Sequence, residues 1–174
     1  MDRQQREELD ILISQNKTQD WWTPELFEER VRPHFPPALT VIAPPPKNEN
    51  YNCFIYTLGL SENSGVLRDS GGFIYSAFIQ KLLNNGLLKR IETPEAGDYV
   101  FYQDLPNYPN EITHAGIIQD DGSAISKWTW GPLIKHQIID VPASYGDTIW
   151  HASKIGSEKV EKIYWELKAF NTKP

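Results

Sequence analysis

The spacing of apolar positions changes character near residue 50. Before it, Leu9, Ile11, Leu12 and Ile13 fall at loosely helical spacing behind acidic residues, which predicts a short amphipathic helix over 2–15. Thr23-Pro24-Glu25 opens a second helix, with Thr as N-cap and Pro in the first turn, running toward Val31 and stopped by Pro33. Pro36-Pro37 and Pro44-Pro45-Pro46 then impose extended backbone. After Tyr51, residues 52–60 read as a buried helix capped by Asn52 and closed near Gly59. Residues 73–84 carry an apolar stripe and predict a further helix, ended by Asn85-Gly86. The period then drops to two, predicting strands at 99–102, 113–119, 124–130, 133–141 and 149–153. Residues 160–170 fit a strand or a helix equally. Helices followed by antiparallel strands make an α+β layout, with an N-terminal helical and Pro-rich extension at 1–48 and a main domain at 49–174.

Length and composition narrow the function classes. The chain has 174 residues, 40% hydrophobic and 23% charged, enough for one compact core. Its net charge of -6, without a basic run, argues against nucleic acid and anionic membranes as partners. No apolar stretch is long enough for a signal peptide or a membrane span, so a reducing cytoplasm is the default expectation, with specialised export left open. There is one cysteine, Cys53, which excludes an internal disulfide and a multi-cysteine zinc site. The four histidines show no short ligand spacing, so neither metal nor cofactor is expected. Cys53 is then a buried filler, an exposed thiol or a nucleophile.

Position alone admits the nucleophile, although an inert Cys on an apolar helix is the commoner fate of a Cys followed by Phe-Ile. Cys53 falls in the first turn after a polar cap, where unpaired backbone N–H groups favour thiolate and face the place where an oxyanion forms. A thiol nucleophile wants an imidazole to take and return its proton. Of His34, His114, His136 and His151, His114 is the candidate: it begins the apolar strand Thr113-His114-Ala115-Gly116-Ile117-Ile118, in which Gly116 admits a neighbouring backbone.

Three stretches together carry a resemblance: Tyr51-Asn52-Cys53, the run from Pro94 through Gly97-Asp98 to Val100-Phe101-Tyr102, and Thr113-His114-Ala115-Gly116-Ile117-Ile118 with a turn ending in Gly122. They resemble the strand-His-strand signature of the NlpC/P60 and CHAP groups of papain-like cysteine peptidases and amidases, over roughly residues 50–150. The order, Cys before His, matches that layout and not the permuted relatives. The resemblance implies a papain-like core in which a catalytic helix packs on an antiparallel sheet. It also implies a Cys-His hydrolase that cleaves an amide bond, of the peptidoglycan-peptide type, through a thioester. A deamidase or acyl-transfer role fits the same residues, and so does a catalytically inactive module that binds a peptide or partner protein.

The family's third member is a polar residue on the next strand that orients the imidazole. Twelve residues after His114, that position holds Ser126. If Asp120-Asp121-Gly122 forms a three-residue loop, Gln119 pairs with Ser123, His114 lies opposite Trp128, and Ser126 is its diagonal neighbour. A two-residue turn would put Lys127 and Thr129 on that face instead. His136 is the alternative orienter, opposite Ser126 if a loop spans Trp130 to Pro132. Tyr51 either donates near the oxyanion or packs, and Asp98 sets a turn. Trp128 and Trp130 are core aromatics or a groove wall, and Trp21-Trp22 staple the extension or rim a groove. The extension itself is a candidate plug across the cleft.

Overall fold

The computed structural model describes residues 1–14, 23–47 and 50–171; the reading of Trp21-Trp22 falls outside them. The architecture is mixed α+β, built on one seven-stranded antiparallel sheet. Helix α1 (Arg3–Ser14) is followed by one helical turn, α2 (Pro24–Leu26), capped by the Thr23 hydroxyl. That turn widens through Phe27–Val31 and tightens to a 3-10 turn at Arg32–His34, so Pro33 sits inside the last turn and does not end the segment before it. Strand β1 (Thr40–Ala43) comes next, then α3 (Cys53–Thr57), α4 (Ser64–Ser70) and α5 (Ser76–Asn84). The strands β2 (Arg90–Ile91), β3 (Tyr99–Gln103), β4 (His114–Ile118), β5 (Ala124–Lys127), β6 (Leu133–His136) and β7 (Thr148–Ala152) follow, and α6 (Ser157–Asn171) is the last described element. Across the sheet the order is β1-β6-β5-β4-β3-β7-β2, which makes β4 the central strand.

Period-two alternation gives the sheet two apolar faces, and each collects its own core. On one face Tyr99, Phe101, Ala115, Trp150 and Ala152 pack against Phe54 and Ile55 of α3, Leu58 just after it, Ile79 and Leu82 of α5, and Val160 and Ile163 of α6. On the other, Val100, Tyr102, Ile118, Ala124, Trp128 and Ile134 pack against Leu9, Ile13, Phe27, Val31 and Leu39. The leading segment is thus the cover of one sheet face, and β1 extends the sheet by pairing with β6. Polar contacts fasten α1 as well. The buried Arg6 donates to Val141 O at 2.8 Å and Gly146 O at 3.1 Å and pairs with Asp147, while Asp10 accepts from the Ser144 amide and hydroxyl. No helix among the described residues is long and apolar enough to cross a membrane.

Candidate functional site

Asn52 starts α3. Its Oδ1 accepts from Ile55 N at 3.2 Å and its Nδ2 donates to Ile74 O at 2.7 Å, while its own N–H donates to Gly72 O at 3.0 Å. This cap joins the helix start to the chain entering α5 and fixes where Cys53 emerges. Cys53 is 7% exposed. Burial pushes its thiol up to about 12, and the opposing pull from the backbone N–H groups of Ala115, Phe54 and Cys53 itself is smaller. The amide of Ala115 places the sulfur against the peptide that follows His114.

His114 and Cys53 line one cavity of 380 Å³, with Asn52 and Thr113 beside them. Its walls are mostly apolar: Ile13 from α1, Phe54, Phe73, Trp130 and Tyr145. His114 is 1% exposed and its ring lies parallel to that of Tyr145, with centroids 3.8 Å apart and planes at 16°. Its Nε2 is enclosed without a hydrogen-bond partner. Burial, with the nearby His136 adding to it, lowers its pKa well below the ordinary histidine value. At rest the site therefore holds a neutral thiol and a neutral imidazole; no hydrogen bond joins them among the described residues.

The turn after β4 is the three-residue loop. Gln119 N donates to Ser123 O at 2.8 Å, Gly122 N donates to Gln119 O, and Gly122 takes φ +75°. The pairs Ile117–Ile125 and Ile118–Ala124 follow from it. Continuing that register sets Gly116 against Ser126, where an added Cβ would lie 3.0 Å from Ser126 Cβ and from Ile125 O. Ser126 is therefore on the His114 face, but it does not hydrogen-bond His114. Its hydroxyl meets His136 Nε2 at 2.8 Å and accepts from Trp128 Nε1 at 3.0 Å. His136 Nδ1 lies 2.8 Å from Gln137 O, so Nδ1 carries the proton and Nε2 accepts from Ser126. This Trp128–Ser126–His136 chain is complete without His114.

His136 stands opposite Ala124 rather than Ser126, because the connection is the three residues Thr129-Trp130-Gly131, closed by Trp128 N donating to Pro132 O. The strand accordingly stops at Lys127 and not at Trp130. Burial lowers His136 to about 4, against a smaller upward pull from Gln137 O and Asp140. Trp128 is a core aromatic, whereas Trp130 lines the cavity and is 37% exposed.

Two features were hidden in the sequence. Lys127 is 1% exposed, its Nζ donating to Gly131 O and lying 4.7 Å from the centre of the Tyr51 ring; burial lowers it to about 7. Tyr51 thus takes part in this contact. Tyr145, in a turn Ala143–Tyr145 that carries no periodic signal, supplies both the ring over His114 and a hydroxyl enclosed without a partner. Among the described residues no group of three or more His, Cys, Asp or Glu side chains converges as a metal site would need.

The stretch from Ile42 to Ser153, from the second half of β1 to just past β7, matches the model of the family described as a domain of unknown function, DUF7689. The chain belongs to that family. The DUF7689 stretch contains Cys53, His114, Ser126, His136 and Tyr145, and leaves α1, α2 and α6 outside it. No curated protein and no solved structure matches the chain.

Proposed function

We propose that this DUF7689 protein is a cysteine hydrolase of the NlpC/P60-like papain type, cleaving an amide bond through Cys53 and His114. The observation that carries the reading is the convergence of a helix-start thiol and a strand-start imidazole on one cavity, with the Ala115 amide beside the sulfur. The order of elements supports it: the helix bearing Cys53 comes first and packs on one sheet face, and His114 begins the central strand, its ring beside Tyr102 on the other face and reaching the shared cavity from the strand's end.

The chemistry starts from a neutral pair. As Cys53 Sγ bonds to the carbonyl carbon, its proton passes to a His114 ring nitrogen and the C=O π pair moves to oxygen. Collapse breaks the C–N bond, and the amine leaves with the proton from His114, giving a thioester. Water, deprotonated by His114, then attacks the thioester and returns the thiol. A substrate that fills the apolar cavity excludes water and strengthens these proton transfers. The resemblance supplies a peptidoglycan-type peptide as the substrate class; the mostly apolar walls add an apolar group beside the reacting carbonyl.

One observation favours a second reading, a catalytically inactive module that binds a peptide or partner protein. Ser126 is engaged by His136 and Trp128, and among the described residues no polar side chain hydrogen-bonds His114 to orient it. Labelling with a thiol-directed acyl probe separates the two. The hydrolase labels at Cys53, loses labelling in Cys53→Ala, and slows about 10²- to 10⁴-fold in a folded His114→Ala. Equal labelling of wild type and His114→Ala supports the binder.

A further inference from the structure

An enclosed hydroxyl without a partner is rare enough in a folded protein to need a reason. Tyr145 has one, on a side chain that lines the cavity with Cys53 and His114. Its place is fixed from several sides. Thr113 Oγ1 donates to Tyr145 O at 2.5 Å, Asp10 holds Ser144 before it, and Arg6 donates to Gly146 O after it. The ring is further held flat against His114. A side chain this constrained cannot swing its hydroxyl out to water, so the missing hydrogen bond belongs to something that enters the cavity.

The surroundings of the hydroxyl indicate what that is. Cys53 is close enough that a thiolate charge there would be felt at Tyr145, and the Thr129 backbone N–H faces the Tyr145 oxygen, so it is the O–H donor that lacks an acceptor. Thr129 is the one described non-glycine residue at positive φ, +52°. That is a costly conformation for a β-branched residue, and it sits in the cavity wall. Burial raises the Tyr145 pKa, so the oxygen keeps its proton and remains a donor across the working pH range.

We propose that the Tyr145 hydroxyl is a further catalytic group of this site, donating a hydrogen bond to the oxyanion that forms when Cys53 attacks a carbonyl. The assignment rests on Cys53 being the nucleophile. In that step the Sγ–C bond forms, the π pair moves to the carbonyl oxygen, and the Tyr145 O–H meets the new charge without giving up its proton. The five-residue helix α3 is too short to carry the oxyanion by its dipole alone, which leaves a role for a side-chain donor.

The test compares two reactions of the same sulfur. Acylation by p-nitrophenyl butyrate passes through an oxyanion; alkylation by iodoacetamide displaces iodide and does not. Both adducts are read by mass at the lone cysteine, in wild type and in Tyr145→Phe, which keeps the ring stacked on His114, with a thermal melt as the check on folding. The expected result is acylation slowed about 10²-fold with alkylation unchanged. Acylation unchanged in Tyr145→Phe overturns the assignment, and so does an equal loss in both reactions, which would place the hydroxyl on the thiol instead. A wild type that alkylates but never acylates at Cys53 overturns the nucleophile reading itself, a separate outcome.

Discussion

Burial holds His114 and His136 neutral at pH 7, and this couples the site to folding. Both pKa values lie below the ordinary histidine value of 6.5, His136 at about 4. Between pH 6.5 and about 4 the unfolded chain takes up a proton on His136 and the folded chain does not, and the downward shift of His114 acts in the same direction. Stability is therefore full above pH 6.5 and falls as pH drops through this window, by up to ~1.4 kcal/mol per pH unit for each histidine. Urea unfolding at half-unit steps from pH 7 to 4 should show that slope, and His136→Gln should lower it by about one histidine's share. A slope unchanged by the substitution contradicts the buried, neutral His136. At this scale the sequence was informative about polar residues at element starts: Asn52 as cap, Cys53 in the first turn, His114 at the strand start. It was silent about Tyr145 and about the burial of Lys127, whose environments depend on contacts between segments distant along the chain.

Among the elements, α3 is the one on which the site depends. It has five residues, so its position comes from the cap and from packing more than from its own hydrogen bonds. Asn52→Ala removes both the acceptor for Ile55 N–H and the donor to Ile74 O in a buried setting. The expected cost is ~1–3 kcal/mol by denaturant titration, and a loss below ~0.5 kcal/mol would show that packing alone sets the helix start. The strands were legible where turn chemistry fixed their register, as Asp120-Asp121-Gly122 did for β4 and β5. They were less so where it did not: the turn after Lys127 contains Thr129 at positive φ, which no residue pattern announces, and so His136 shifted to face Ala124. β1 escaped notice because the edge sequence Thr-Val-Ile-Ala carries no polar–apolar alternation, although its residues are alternately exposed and half-buried. α4 escaped because it buries only Val66. The ambiguous tail is helical: Val160, Ile163 and Tyr164, at helical spacing, are all buried in the same core as α3.

For the whole molecule, the decisive fact is that the leading segment covers a sheet face. Leu9, Ile13, Phe27, Val31 and Leu39 are buried against the strands, Arg6 and Asp10 fasten the turn that carries Tyr145, and Ile13 lines the cavity. A detachable plug would leave a folded, more reactive protein when removed. A face cover would not. Deleting residues 1–48 should therefore abolish the cooperative thermal transition, by circular dichroism, and a folded product with faster Cys53 alkylation would restore the plug. The sequence marked this segment as distinct but not as core, because its apolar residues are scattered among prolines. Whether Cys53 and His114 act as one unit is read from the pH dependence of Cys53 acylation. With a thiol pushed up to about 12, unaided attack must rise tenfold per pH unit across neutrality. Wild type should acylate with p-nitrophenyl butyrate at a rate nearly flat from pH 6 to 8, while folded His114→Ala shows the tenfold rise. The same tenfold rise in both proteins would contradict that pairing.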